Sequence, residues 1–250
     1  IPSSVTSIGD YAFNECSSIT LISIHSATSI GKYAFNKCTK LELISIPSVT
    51  SIGDFAFNEC SSLAQMSIPS VKSIGDFAFN RCSSLTLISF LNLLTKLGSY
   101  AFNECSSLAQ ISLSCPISVI KSCSFGNCRS LAYITIPSSC TLIDERAFAD
   151  CILLAKITLP SSLKKISQYA FSNCSSLQVI VFGNPSSLNS IGECAFDNCS
   201  SLDNIEIPSS VKSIGYNAFY RCSSLKFITI PSSIDVYNLG LLSNVVIHRF

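Results

Sequence analysis

Fourteen cysteines in 250 residues are the side chains best equipped for chemistry in this chain, because a thiolate can ligate soft metals, attack electrophiles or cross-link. Ten of them stand three residues after a phenylalanine: Cys16, Cys38, Cys60, Cys82, Cys105, Cys128, Cys151, Cys174, Cys199 and Cys222. A zinc site would pair cysteines as Cys-x-x-Cys or add histidine. The nearest pairs here are Cys123/Cys128 and Cys194/Cys199, each with four residues between and no histidine beside them. The two histidines, His25 and His248, have no adjacent nucleophile. The carboxylates recur at fixed places, after glycine (Asp10, Asp54, Asp76) or before cysteine (Glu15, Glu59, Glu104), as a solvated face would. Gly9, Gly31, Gly53, Gly75, Gly98, Gly192 and Gly215 are single turn glycines and form no phosphate loop. The sequence therefore predicts no catalytic residue, no metal site and no cofactor.

What positions the thiols is a repeat. Phenylalanine recurs at Phe13, Phe35, Phe57, Phe79, Phe102, Phe125, Phe148, Phe171, Phe196 and Phe219, with spacings of 22 to 25 residues. A period of this length buries its apolar residues only by stacking copies, so the chain reads as one solenoid of ten rungs over 1–250. The cysteines then form a column between phenylalanine and leucine columns, where a free thiol behaves as a small hydrophobe. Cys140 takes an inward valine position, and Cys123 and Cys194 replace the aromatic found at Tyr11, Tyr33, Phe55, Phe77, Tyr100 and Tyr169. Cys115 aligns with a turn serine and is the thiol expected to meet solvent.

One copy, residues 47 to 68, shows how a rung is built. Leu63, Met66 and Ile68 end in a period-two alternation that predicts a strand with one buried face. Pro69 ends it, having no amide to donate. Val49 and Ile52 form a second apolar set before Gly53. The stretch from Phe55 to Cys60 predicts one tight helical turn. In-register stacking gives a parallel strand ladder with rungs roughly 4.8 Å apart, about 50 Å long in all.

Lys and Arg total 16 against 15 Asp and Glu, a net charge of +1. That leaves no electrostatic footprint for nucleic acid or an anionic membrane. The apolar run from Val236 to Ile247 is short and interrupted by Asn238, Gly240 and Asn244, so it predicts a worn last rung (232–250), not a membrane span. The chain opens at Ile1-Pro2 inside a repeat and closes at Arg249-Phe250 without a polar cap, which reads as a segment of a longer protein with both ends uncapped.

The unit Ile-Pro-Ser-Ser-Val-x-Ser-Ile-Gly-x-x-Ala-Phe-x-x-Cys-Ser-Ser-Leu-x-x-Ile-x-Ile resembles the BspA-type leucine-rich repeat, from Ile1 to about Ser233. It departs from commoner leucine-rich repeats in lacking an asparagine ladder three residues beyond the strand, where Val49 and Val71 stand. Lys121, Asp144 and Ser167 replace the glycine, and Ser124 the alanine. The resemblance implies cell-surface or secreted adhesins that bind host matrix or other microbes, and it carries over no ligand-contact residue.

The largest regular surface is the outward side of the strands, commonly the concave binding face of a solenoid. Its first column runs Leu21, Leu43, Gln65, Leu87, Gln110, Tyr133, Lys156, Val179, Asn204 and Phe227; beside it run Ser23, Ser45, Ser67, Ser89, Ser112, Thr135, Thr158, Val181, Glu206 and Thr229. These columns predict a protein or glycan partner held by a non-catalytic recognition protein, surface-exposed or secreted. The alternative is an intracellular, cytoplasmic interaction scaffold on the same repeats. Oligomeric state is not encoded in the pattern.

Three irregularities stand out. Phe90-Leu91-Asn92-Leu93-Leu94 replaces the usual Ile-Pro-Ser-Val, leaving Leu91 either an exposed anchor or part of a repacked rung. Gly183-Asn184 lengthens one repeat and predicts a bulged turn. The sequons Asn173-Cys174-Ser175 and Asn198-Cys199-Ser200 carry a column cysteine at their centre, which argues against glycosylation.

Overall fold

The computed structural model describes residues 1–91 and 93–250; Asn92, within the irregular Phe90 to Leu94 segment, lies outside the described residues. The chain is a parallel β-solenoid of stacked coils, and each rung contributes two short strands. The Ser-Ile segment, read from sequence only as an apolar set, is one of them. Ser7–Ile8, Ser29–Ile30, Ser51–Ile52, Ser73–Ile74 and Lys96–Leu97 pair in sequence order as one five-stranded ladder. Val119–Ile120, Leu142–Ile143, Lys165–Ile166, Ser190–Ile191 and Ser213–Ile214 form a second. The interruption falls beside the irregular segment, where Lys121 replaces the turn glycine.

The predicted strands are present, but their ladder is bonded two by two. Leu21–Ser23 pairs with Leu43–Ser45, Gln65–Ser67 with Leu87–Ser89, Gln110–Ser112 with Tyr133–Thr135, and Lys156–Leu159 with Val179–Phe182. Asn204–Glu206, Phe227–Ile230 and Val246–Arg249 form a three-stranded group. Nothing in the repeat sequence distinguishes the bonded gaps from the others. Each pairing is in register, so like positions stack on like, as in Leu21 on Leu43 and Gln110 on Tyr133.

The predicted helical turns do not form. The segment around each core Phe is a non-helical turn, and the reason lies in its amides. Ala56, Asn58 and Cys60 donate back three residues, to Gly53, Phe55 and Phe57. Phe55, Phe57 and Glu59 donate instead to Asp76, Ala78 and Asn80 of the next rung, at 2.8–2.9 Å. Alternate donors are thus spent between rungs, which no helix permits. The geometry requires positive φ at two non-glycine residues per rung, from Tyr11 (59°) and Glu15 (59°) to Asn217 (54°) and Arg221 (57°). Each left-handed residue costs about 1–2 kcal/mol. No β-branched side chain occupies these sites, where the cost would be greatest. The inter-rung bonds offset the strain.

Inside, the phenylalanine rings stack face to face, with centroids 5.0–5.6 Å apart from Phe13 to Phe219. The cysteine column does more than fill space. Every column thiol from Cys38 to Cys222 donates to the carbonyl of the preceding rung's Phe at 3.1–3.3 Å. That carbonyl already accepts its own rung's Cys amide, as Phe57 does from Cys60 at 3.2 Å, so both lone pairs are used. Burial pushes the Cys38 thiol up to about 11 and Cys128 to about 12.

Cys115 corrects the sequence reading. It is 5% exposed, and burial raises its thiol to about 11. Pro116 restricts it to an extended backbone, and the Ile117 amide bonds back to its carbonyl at 2.8 Å. The chain therefore turns after Cys115, and the side chain is left inside. The column thiol with real access is Cys16, half-buried on the first rung. Cys123, Cys140 and Cys194 are buried, as packing substitutions should be. Leu91 (60%) and Leu93 (46%) are exposed while Leu94 is fully buried, so the irregular rung keeps one inward leucine and turns two outward.

Two outcomes follow. Maleimide labelling of the native protein at pH 8, read by peptide mass mapping, should modify Cys16 first and leave Cys38 to Cys222 and Cys115 protected until denaturant is added; rapid native modification of most thiols would overturn the interior assignment. In chemical denaturation, Phe102→Ala should cost about 3–5 kcal/mol, and Phe13→Ala less, because Phe13 is only half-buried and stacks on one side. Equal losses would contradict nearest-neighbour stacking.

Candidate macromolecule-binding face

Alternation along each three-residue strand sends the middle residue inward and its neighbours out. Ile44, Met66, Ile88, Ile111, Ile134, Ile157, Ile205 and Ile228 are buried. Leu21, Leu43, Gln65, Leu87, Gln110, Tyr133, Lys156, Val179, Asn204 and Phe227 are all exposed. The structure thus brings the predicted column together in one line. Leu21 (63%) and Tyr133 (60%) project most among its apolar members. The hydroxylated column beside it is half-buried to exposed, with Thr135 bonding to the Tyr133 hydroxyl at 3.3 Å.

Two depressions lie on this face. One, of about 280 Å³, is bordered by Leu43, Gln65 and Leu87 with the backbone between them. The other, of about 630 Å³, sits where the chain lengthens: Val179, Val181 and Phe182 form one side, Asn204 and Glu206 the other, and Gly183 to Ser186 an end wall. Ile180 is half-buried there, whereas Ile157 and Ile205 of the rungs on either side are buried. The predicted bulge at Gly183-Asn184 is a bend that opens this cleft.

The turn wall is more organised than sequence reasoning saw. Asn14, Asn36, Asn58, Asn80 and Asn103 form an amide ladder, each Nδ2 donating to the preceding Oδ1 at 2.7–2.8 Å. An asparagine ladder is therefore present, one residue after the phenylalanine and not beyond the strand. Its signal was asparagine recurring at that offset. The next column alternates in charge, Glu15, Lys37, Glu59, Arg81, Glu104, with ion pairs of 3.2–3.5 Å from Lys37 to Glu15 and from Arg81 to both glutamates. Exposed pairs contribute little each, but the alternation favours the observed register. Nor are the post-glycine aspartates merely solvated. Asp10, Asp54 and Asp76 accept the backbone amides of Lys32, Asp76 and Ser99 in the next rung at 2.7–3.0 Å. Burial would raise the Asp54 carboxyl, but hydrogen bonds from Lys32 and the Asp76 amide hold it below the usual range.

Among the described residues, no three His, Cys, Asp or Glu side chains are grouped to hold a metal ion, and no helix is long and apolar enough to cross a membrane. His25 is exposed, and His248 lies 6.3 Å from the Phe227 ring. The amides of Asn173 and Asn198 donate to Asp150 and Asn173 at 3.1 Å, so both sequon nitrogens are engaged.

Solved structures with this architecture include a leucine-rich repeat protein from Bacteroides ovatus, 26% identical over 98% of this chain and 88% of that one, with a TM-score of 0.50. A leucine rich cell surface protein from Faecalibacterium prausnitzii is 25% identical, covers 98% and 83% of the two chains, and has a TM-score of 0.52. A leucine-rich repeat protein from Eubacterium ventriosum, 21% identical over 93% and 72% with a TM-score of 0.51, shares the fold. No protein of curated function matches the chain. The model of the BspA type leucine rich repeat region matches residues 1–70, 28–155 and 141–249 in six copies. With its stacked 22–25-residue coils and its phenylalanine and cysteine columns, the chain belongs to the BspA type leucine-rich repeat family.

Proposed function

We propose that this chain is a non-catalytic recognition protein that holds a protein partner against its strand face, as a surface-exposed or secreted adhesin-like module. The observation that carries this reading is the unbroken line of exposed side chains in which Leu21, Leu43, Leu87, Tyr133, Val179 and Phe227 recur among Gln65, Gln110 and Lys156. Six exposed apolar side chains recurring along one line exceed the scattered hydrophobes of an ordinary surface. The depressions of this face are open to solvent, which suits a macromolecule better than a small ligand. The family is a protein-interaction fold, and the Faecalibacterium relative is a cell surface protein by name, which supports the location.

Anchors in such interfaces are desolvated aromatic and branched residues near the centre. Tyr133→Glu or Leu87→Glu should therefore reduce capture of the partner, recovered by pull-down from host-cell surface extracts, by about tenfold or more, leaving the circular dichroism spectrum unchanged. Lys40→Glu, on the turn side and exposed, should leave capture intact. Loss with Lys40→Glu and retention with both strand-face variants would move the site to the opposite wall.

A further inference from the structure

The amide ladder on the turn wall stops abruptly. After Asn103 the position following the core Phe is Gly126, then Ala149, then Ser172, and then Asp197. Three small residues in succession replace a column of packed amides and leave a trough of about 310 Å³. Its ends, Asn103 and Asp197, are four rungs apart, roughly 19 Å. Asn127, Asp150 and Asn173 form one long wall, and Cys123, Arg146 and Tyr169 the other.

Small residues alone would be a packing variant. The Asn103 end of the trough is what points to a ligand. Asn103 is 9% exposed, and its Nδ2 donates to Asn80 and Glu104, while its Oδ1 accepts from none of the described residues. That oxygen is aimed into the trough, since a Cβ at Gly126 would stand 2.8 Å from it. Every amide of the ladder is oriented the same way, so aligned dipoles present their acceptor end at this point. At the far end Asp197 Oδ1 also has no donor but is itself closed off, so the acceptor open to the trough is the Asn103 oxygen.

The matching ligand must donate at the Asn103 end and exchange hydrogen bonds along the walls. Asn127 offers both a donor and an acceptor, Asp150 already accepts from Asn173 at 3.1 Å, and the Arg146 guanidinium lies 4.5 Å over the Tyr169 ring. A polyamine would meet the Asp150 and Asp197 carboxylates but could accept nothing from the Asn127 amide or the Arg146 guanidinium. A polyol donates and accepts, and a hexose unit in an extended chain advances by close to one rung. We propose that the trough from Asn103 to Asp197 is a binding site for a short neutral oligosaccharide, whose hydroxyls donate to Asn103 Oδ1 and exchange hydrogen bonds with Asn127 and Asp150 along the wall. It shares no residue with the strand-face column and stands independently of the role proposed for that face.

The test is isothermal titration of the 250-residue chain with cellotriose, maltotriose and chitotriose, and with spermidine as a cationic probe. At least one trisaccharide should bind saturably. Gly126→Asn, which extends the amide ladder into the trough, and Ala149→Gln, which fills its middle, should each weaken that binding by about tenfold or more, with unchanged circular dichroism. Tyr133→Glu should leave it unaltered. No heat from any trisaccharide, binding of spermidine alone, or trisaccharide binding that survives both trough substitutions would overturn the proposal.

Discussion

Backbone amides that point along the solenoid axis are the constraint on which the rest of this molecule depends. In each rung the turn around the core phenylalanine spends alternate N–H groups on the next rung's carbonyls, and it can do so only by holding two side-chain-bearing residues in the left-handed region. A residue there is costly alone. It persists because the stacked neighbour over-determines it. The same bonds fix the rung spacing, and every side-chain column inherits that spacing.

The columns follow from this alignment. Rings at one level meet rings at the next nearly parallel, both in the core from Phe13 to Phe219 and in the outer stack Tyr11, Tyr33, Phe55, Phe77, Tyr100, where centroids are 4.5–4.9 Å apart. Cysteine suits its column because it is apolar enough to be fully buried yet carries one weak donor, which the phenylalanine carbonyl accepts. Alanine would lack the donor, and serine would bring a hydroxyl with acceptor capacity into an apolar interior. Chemistry at these thiols is suppressed by the same burial that makes them useful to the fold.

The positions available for recognition are those that stacking leaves free. On the strand side these are the alternating outward residues, which build an apolar line because each strand sits in register on the last. On the turn wall the ordinary state is a filled ladder, and the exception from Gly126 to Ser172 acquires meaning only because the ladder ends at Asn103 in an acceptor with no donor among the described residues. A repeat protein can gain a site by omission in this way, since removing side chains from consecutive rungs empties a straight trough.

The sequence by itself determined the period, the inward columns and the family, because each depends only on which residues recur at which offset. It also identified the outward column from Leu21 to Phe227, since strand alternation follows from the position of the buried isoleucines. Other features were decided by tertiary structure. Whether the stretch from Phe55 to Cys60 coils into a helical turn depends on where its amides find acceptors, and those belong to residues more than 20 positions away. The inward turn of Cys115 depends on the backbone path before Pro116, which alignment to a serine could not reveal. The asparagine ladder was visible as a recurrence, but its direction, and thus the open acceptor at Asn103, is set by how each amide orients against its neighbour. Local pattern specifies what a rung is made of; the contacts between rungs specify which of its polar groups remain available.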